Sequence, residues 1–101
     1  MLENKFQREL IVELKKIFPG CMILKNDANY IQGIPDLTIF YRDKWATLEC
    51  KRSEEECKRS KKRNLNQEYY ISKMNNMSFS RFIYPENKEE VLNDLKRSFG
   101  A

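Results

Sequence analysis

The chain has 101 residues, of which 41% are hydrophobic and 34% are charged, and its net charge is +4. This length supports one core, so we expect a single domain over residues 1–101. No stretch is apolar enough to be a signal peptide or to cross a bilayer, which predicts a cytoplasmic protein without membrane attachment. The chain contains no histidine, which excludes histidine-based zinc sites and Ser-His-Asp triads. Its cysteines, Cys21, Cys50 and Cys57, lack the paired spacing of a zinc knuckle or a disulfide framework.

The order of the apolar patterns predicts an α/β fold. Residues 2–18 carry apolar side chains at a spacing of mostly three or four, which is typical of an amphipathic helix, and Pro19 and Gly20 end it. Short apolar runs predict strands at residues 21–24 and on both sides of a polar turn at residues 42–44. A helix at residues 66–77 with Asn66 as its cap, a strand at 78–84 and a helix from Asn87 follow. The predicted order is α-β-β-β-α-β-α.

Three charged residues are predicted to meet at one end of this sheet. Residues 45–51 alternate, so an extended strand places Glu49 and Lys51 on the same face, about 6.5 to 7 Å apart along the strand. Pro35 fixes a bend before Asp36, and an antiparallel hairpin returns Asp36 to the end of the second strand. Two carboxylates and an ammonium group would then lie together.

Two carboxylates without histidine or paired cysteines form an oxygen-donor site of the kind that Mg²⁺ or Mn²⁺ prefers. The backbone carbonyl of Cys50 could add one ligand. A divalent cation would lower the pKa of an attacking water and offset charge on a phosphate, while Lys51 would position that water or stabilise the reacting phosphate. The alternative interpretation is that Asp36 is only a turn residue and that Glu49 forms only an ion pair with Lys51 on a wet sheet face.

The positive surplus lies directly after this strand, in residues 52–65, which we expect to form a flexible loop. Between residues 51 and 63, seven basic residues face three glutamates, and the difference of four equals the net charge of the chain. Such a cluster attracts phosphates, although a solvated loop that only keeps the protein soluble has the same composition. Apart from Lys51, the basic residues predicted to contact nucleic acid here are Arg52, Lys58, Arg59, Lys61, Lys62 and Arg63.

The sequence Gly-Ile-Pro-Asp at residues 33–36, followed by a hairpin and by Glu-Cys-Lys at 49–51, resembles the PD-(D/E)xK nuclease signature. The flanking pattern is most similar to the VRR-NUC family, particularly to its small stand-alone phage members, over nearly the whole chain.

The resemblance implies further site residues on neighbouring elements. An acid from the first helix would join the site, and Glu3 is the first choice with Glu9 as the alternative. The later helix would contribute a glutamine, which Gln67 matches. Lys25 resembles a basic residue that follows the second element and would contact nucleic acid.

The resemblance also implies a restriction-endonuclease-like core with a central mixed sheet flanked by helices, and a homodimer like the Holliday junction resolvases that cut opposed strands. We therefore expect a Mg²⁺- or Mn²⁺-dependent endonuclease for branched DNA, located in the host cytoplasm if the protein is viral. Its dimer interface could involve residues 79–84 or the aromatic residues of the helix at 66–77, although both are explained more simply as core. The alternatives are a nuclease for single-stranded, flap or nicked DNA, a non-catalytic nucleic-acid-binding module, and a protein-interaction domain of a viral replication apparatus.

Overall fold

Four strands form one mixed sheet at the centre of the structure, a computed structural model that describes residues 2–101. In chain order the elements are α1 (Glu3–Ile17), β1 (Met22–Lys25), β2 (Leu37–Tyr41), β3 (Lys44–Cys50), α2 (Glu54–Arg63), α3 (Leu65–Met77), β4 (Ser80–Ile83) and α4 (Lys88–Phe99). The strands lie in the order β1-β2-β3-β4, with antiparallel pairing up to β3 and parallel pairing between β3 and β4. The predicted α/β class with a mixed sheet is confirmed, and the chain forms one helix more than predicted.

One face of the sheet packs against α1 and α4 and carries the main hydrophobic core. Ala46, Leu48 and Cys50, the alternate residues of β3, are fully buried in it. The apolar residues of α1 face them because a spacing of four puts side chains on one side of a helix; they are Phe6, Leu10 and Leu14. The same alternation along β3 directs Glu49 to the opposite face of the sheet.

That opposite face is covered over β3 and β4 by α2 and α3. Cys57 of α2, Ile71 of α3 and Phe82 of β4 form a second, smaller core there. In the sheet beneath α3, the hydroxyl of Thr47 donates to the hydroxyl of Ser80 at 2.7 Å, so that these buried polar groups are paired. Helix α3 therefore lies over the strand that carries the predicted site.

The prediction of a flexible loop at residues 52–65 is wrong, because most of this segment is helix α2. The Ser53 side chain caps the helix by accepting a hydrogen bond from the backbone N–H of Glu56. Three glutamates occupy the first turn and three basic residues the last turn, which matches the direction of the helix dipole. These charges stabilise a helix that has little apolar surface to bury.

The predicted helix cap at Asn66 differs from the structure. Asn66 lies inside α3, whose N-cap is Asn64, and the Asn64 side chain makes no capping hydrogen bond. Asn87 is the N-cap residue of α4, but its side-chain oxygen accepts from the backbone N–H of Tyr84 instead. The Asn87 side chain therefore stabilises the loop before α4 and does not cap the helix.

Across residues 2–101, none of the helices combines the length and the apolar character that crossing a bilayer requires.

Candidate active site

The hairpin of β2 and β3 brings Asp36 and Glu49 together at one end of the sheet. Tyr41 pairs with Lys44 across a two-residue turn, and this register places Leu37 opposite Leu48. Asp36 directly precedes Leu37, and Glu49 directly follows Leu48. The antiparallel hairpin predicted from the sequence is confirmed.

Backbone N–H groups fix one oxygen of each carboxylate. The N–H of Asp36 donates to Glu49 Oε1 at 3.0 Å, and the N–H of Cys50 donates to Asp36 Oδ2 at 2.9 Å. Neither hydrogen bond uses Asp36 Oδ1 or Glu49 Oε2. Each carboxylate is thus held in place by the backbone through one of its two oxygens.

Pro35 has a further consequence for the backbone of Cys50. Continuing the register of β2 and β3 places Pro35 opposite Cys50, and proline has no N–H to donate to the Cys50 carbonyl. The register therefore leaves that carbonyl without a donor from the segment before β2, while the Cys50 N–H donates to the Asp36 side chain. The carbonyl predicted as a metal ligand therefore has no partner in the sheet.

Lys51 and Gln67 complete a buried polar cluster beside the carboxylates. Lys51 Nζ lies 3.5 Å from Glu49 Oε2 and donates to Gln67 Oε1 at 2.8 Å. Glu49 and Lys51 are only 4% and 7% exposed, so they do not form an ion pair on a wet sheet face. The glutamine that the resemblance assigned to the later helix is in direct contact with the predicted lysine.

Glu3, at the start of α1, lies within electrostatic range of this cluster, whereas Glu9 is solvent-exposed. Burial raises the pKa of Glu3, and the charge of Asp36 raises it further while Lys51 opposes this effect. Of the two candidate acids in α1, the structure places Glu3 near the site.

Burial also raises the pKa values of both central carboxylates. The pKa of Glu49 rises to about 8, mainly because the side chain is desolvated and then because Asp36 lies beside it. The pKa of Asp36 is raised by burial, against the lowering effect of the Cys50 N–H and of Lys51. The positive charge of Lys51 therefore does not fully compensate for the burial of the two carboxylates.

An open cleft of about 520 Å³ gives access to the carboxylates. Its walls are formed by residues 28–34 and by the start of α3, where Asn64 and Gln67 line it. Gly33, at φ +89°, lets the loop approach α3 closely, since a Cβ atom there would lie 2.5 Å from Asn66 Cβ. Asn26 holds the other end of the loop, and its side chain donates to the Pro35 carbonyl at 2.9 Å.

No local sequence pattern reveals that Asn64 lines the cleft or that Gly33 contacts Asn66, because both depend on how α3 packs on the sheet. The bend predicted at Pro35 did not reveal which helix the preceding loop contacts.

The donor set fits Mg²⁺ or Mn²⁺ only with ligands from outside the protein. Within residues 2–101, no group of three or more His, Cys, Asp and Glu side chains could hold a metal ion. Mg²⁺ is commonly held by one or two carboxylates together with waters and phosphate oxygens. Asp36, Glu49 and the Cys50 carbonyl constitute such an incomplete protein set.

The basic residues predicted to bind nucleic acid are partly neutralised. Arg52, Arg59 and Arg63 form ion pairs with Glu56, and Lys58 forms one with Glu54. Three of these predicted residues have no carboxylate within 4.0 Å among residues 2–101. These are Lys25, which is exposed at the end of β1, Lys61, which lies over the ring of Phe82 at 5.0 Å, and Lys62.

Comparison of the chain with protein-family models, with curated protein sequences and with solved structures found no match.

Proposed function

We propose that this protein is a divalent-metal-dependent endonuclease that hydrolyses phosphodiester bonds in DNA. The observation that carries the proposal is the convergence of Asp36, Glu49 and Lys51 at the open end of the sheet, with Gln67 bound to Lys51. Two oriented carboxylates beside a buried ammonium group suit a substrate that is itself anionic. The restriction-endonuclease-like core implied by the PD-(D/E)xK resemblance is part of this proposal.

Asp36, Glu49 and the Cys50 carbonyl would hold Mg²⁺ or Mn²⁺ in the cleft. The bound cation would orient and acidify the attacking water and would offset charge on the phosphate. The backbone N–H groups of Asp36 and Cys50 hold the carboxylates in position before the metal arrives.

Lys51 would donate to the attacking water or to a non-bridging oxygen of the scissile phosphate. Gln67 accepts one hydrogen bond from its ammonium group and so holds the lysine beside Glu49. Glu3 would contribute further negative charge near Asp36 and Lys51.

Branched DNA, such as a Holliday junction, is the proposed substrate, and the active form is proposed to be a homodimer. The support for this part is the resemblance to small phage nucleases together with the size of the chain. Lys25, Lys61 and Lys62 are the proposed contacts to the DNA backbone, because no carboxylate pairs with them. A preference for single-stranded, flap or nicked DNA is the competing substrate assignment.

Cleavage assays on a four-way junction, a flap and a linear duplex test the proposal, each with Mg²⁺, with Mn²⁺ and with a chelator. We expect metal-dependent cleavage of the junction that falls at least about 100-fold in Asp36→Asn and in Lys51→Gln. Asparagine can still accept from the Cys50 N–H, so the first variant should keep the fold. Glu9→Gln is the matched control and should cleave normally.

Unchanged cleavage by Asp36→Asn would contradict the assignment of the site. Salt-sensitive DNA binding without cleavage under any metal condition would instead favour a non-catalytic binding module.

A further inference from the structure

The two edges of the sheet differ in how their outward backbone groups are satisfied. On the β4 edge, the N–H of Ser80 donates to the Asn75 side chain at 3.1 Å, and the N–H of Tyr84 donates to Asn87 at 2.8 Å. The Phe82 carbonyl accepts from the Asn87 side chain at 3.1 Å. Side chains therefore cover this edge, and an added strand would have to displace them. Residues 79–84 are consequently a poor candidate for an interface between chains.

The β1 edge has no such cover. Asn26 N–H donates to the Asp36 carbonyl at 2.8 Å, which fixes the alternation of the ladder between β1 and β2. By this alternation the backbone groups of Ile23 and Lys25 point away from β2. They form no hydrogen bond with any part of residues 2–101. The β1 edge thus presents free donors and acceptors to another strand.

Exposed apolar side chains lie next to this open edge. Met22 is 60% exposed, Leu24 is 45% exposed and Phe40, which pairs with Met22, is 42% exposed. All three lie on the sheet face that also carries Asp36 and Glu49, because side chains alternate along each strand. Free backbone groups and a small apolar patch therefore coincide at one place on the molecule.

We propose that β1 pairs with β1 of a second copy of this chain, antiparallel about a two-fold axis at Ile23. This register makes Ile23 face itself and places Met22 opposite Leu24 of the second copy, so that the exposed apolar side chains cover each other. Lys25 then lies opposite Cys21 of the second copy and not opposite another lysine. The edge is self-complementary in this register, which is why a second copy fits it.

The pairing would join two sheets into one and would leave both sites on the same face, since the two-fold axis is perpendicular to the sheet. Asn26 is three residues from the two-fold axis at Ile23. Asp36 lies opposite Asn26, on the neighbouring strand, which is one strand further from the axis. At about 3.3 Å per residue and about 4.8 Å per strand, the two Asp36 residues would lie roughly 25 Å apart. Cleavage of opposed strands of one branched substrate by the two sites rests on the proposed function. The pairing of β1 with β1 does not depend on that function.

Sedimentation equilibrium over a concentration series tests the pairing without any measurement of cleavage. The chain has a mass of 12.2 kDa, and we expect the wild type to sediment with twice that mass. Met22→Lys and Leu24→Lys should each weaken the dimer at least about tenfold, because each places an ammonium group in the apolar contact. Met77→Lys is the matched control, since Met77 is 63% exposed on α3 and should leave the dimer unchanged. Circular dichroism would verify that all variants are folded.

Disulfide trapping tests the register. Ile23→Cys in a Cys21→Ser background should form a covalent dimer on oxidation, because facing residues in an antiparallel pair have Cα atoms about 5.5 Å apart. Leu24→Cys in the same background should cross-link much less. A monomer at every concentration, a dimer that withstands both lysine variants, or preferential cross-linking through Leu24→Cys would each overturn the proposal. Loss of nuclease activity with an intact dimer would instead count against the proposed function alone.

Discussion

Glu49 is a carboxylate whose surroundings favour its protonated form. It is almost fully buried, accepts a hydrogen bond from the Asp36 backbone and lies beside both the Asp36 carboxylate and the Lys51 ammonium group. Burial and the neighbouring acid outweigh the lysine, so the pKa of Glu49 is about 8. At neutral pH and without metal, the folded protein therefore retains a proton there that the unfolded chain releases.

The stability of the metal-free protein should consequently fall as the pH rises. A folded-state pKa of about 8 lies above the ordinary glutamate value, so the stabilising effect is complete below about pH 4.5 and is lost as the pH rises through 8. The loss should be on the order of 3–5 kcal/mol for a shift of this size. Urea unfolding in the presence of a chelator at pH 5, 7 and 9 measures it.

Glu49→Gln should flatten this pH dependence and should make the protein more stable than the wild type at pH 9, since glutamine cannot ionise. The same dependence in the variant as in the wild type would show that another group causes it. Mg²⁺ should restore more stability at pH 9 than at pH 5, because it binds the ionised carboxylates.

At the scale of elements, the geometry of the site depends on how closely residues 26–36 approach α3. Gly33 makes this approach possible, since it has a positive φ and its α-carbon faces Asn66 without an intervening side chain. The loop carries Asp36 and the helix carries Gln67, so this contact sets the distance between the two halves of the site.

Gly33→Ala should destabilise the protein and misplace Gln67. The new Cβ would lie 2.5 Å from Asn66 Cβ and 2.8 Å from the Asn66 carbonyl carbon, so the loop and α3 would have to separate. Gly20→Ala is the matched control, because Gly20 has a similar φ of +86° but no atom within 4 Å of the added Cβ. We expect Gly20→Ala to cost about 1–2 kcal/mol from backbone strain and Gly33→Ala to cost clearly more.

Thermal unfolding of the two variants measures the difference. Equal losses of stability in Gly20→Ala and Gly33→Ala would show that α3 can move away from residue 33 at little cost in free energy. The contact between Gly33 and Asn66 would then not fix the geometry of the site.

The elements with a clear apolar pattern could be predicted from the sequence, and with them the core of the site. The alternation of residues 45–51 was sufficient to place Glu49 and Lys51 on one face, and the bend at Pro35 to return Asp36 to them. Helix α2 could not be predicted from apolar periodicity, because the segment buries little beyond Cys57. Its indicators were the cap at Ser53 and the change from acidic to basic residues along the helix.

Tertiary packing decided what remained unpredicted. The contact of Gly33 with Asn66 joins residues that are far apart in the sequence. The difference between the two sheet edges depends on the order of the strands, which no local pattern reveals. The effect of Pro35 on the Cys50 carbonyl could not be predicted either, because only the register of the hairpin shows that the two residues lie opposite each other.

At the scale of the whole molecule, the positive charge is less available to DNA than the composition suggests. Glutamates of α2 pair with four of the basic residues that were predicted to contact nucleic acid. The remaining three are Lys25, Lys61 and Lys62. Each contact with a phosphate contributes about −0.9 to the slope of log K against log salt.

DNA binding should therefore show a slope of about −2 to −3 per protomer, and not the slope of about −6 expected if all seven residues contacted phosphates. Fluorescence anisotropy with a duplex and a chelator, over a series of salt concentrations, measures this slope. Lys62→Gln should make the slope shallower by about 1, while Arg59→Gln should change it little. A slope near −6 would show that the ion pairs of α2 open to bind DNA.

We propose that Asp36 and Glu49 hold a divalent cation at the open end of the sheet. Anomalous diffraction from a crystal soaked in Mn²⁺ tests it most directly. We expect a single strong peak between Asp36 Oδ1 and Glu49 Oε2, within bonding distance of the Cys50 carbonyl, which disappears in Asp36→Asn. A crystal that shows no manganese at these carboxylates, at a Mn²⁺ concentration that supports cleavage in solution, would contradict the account.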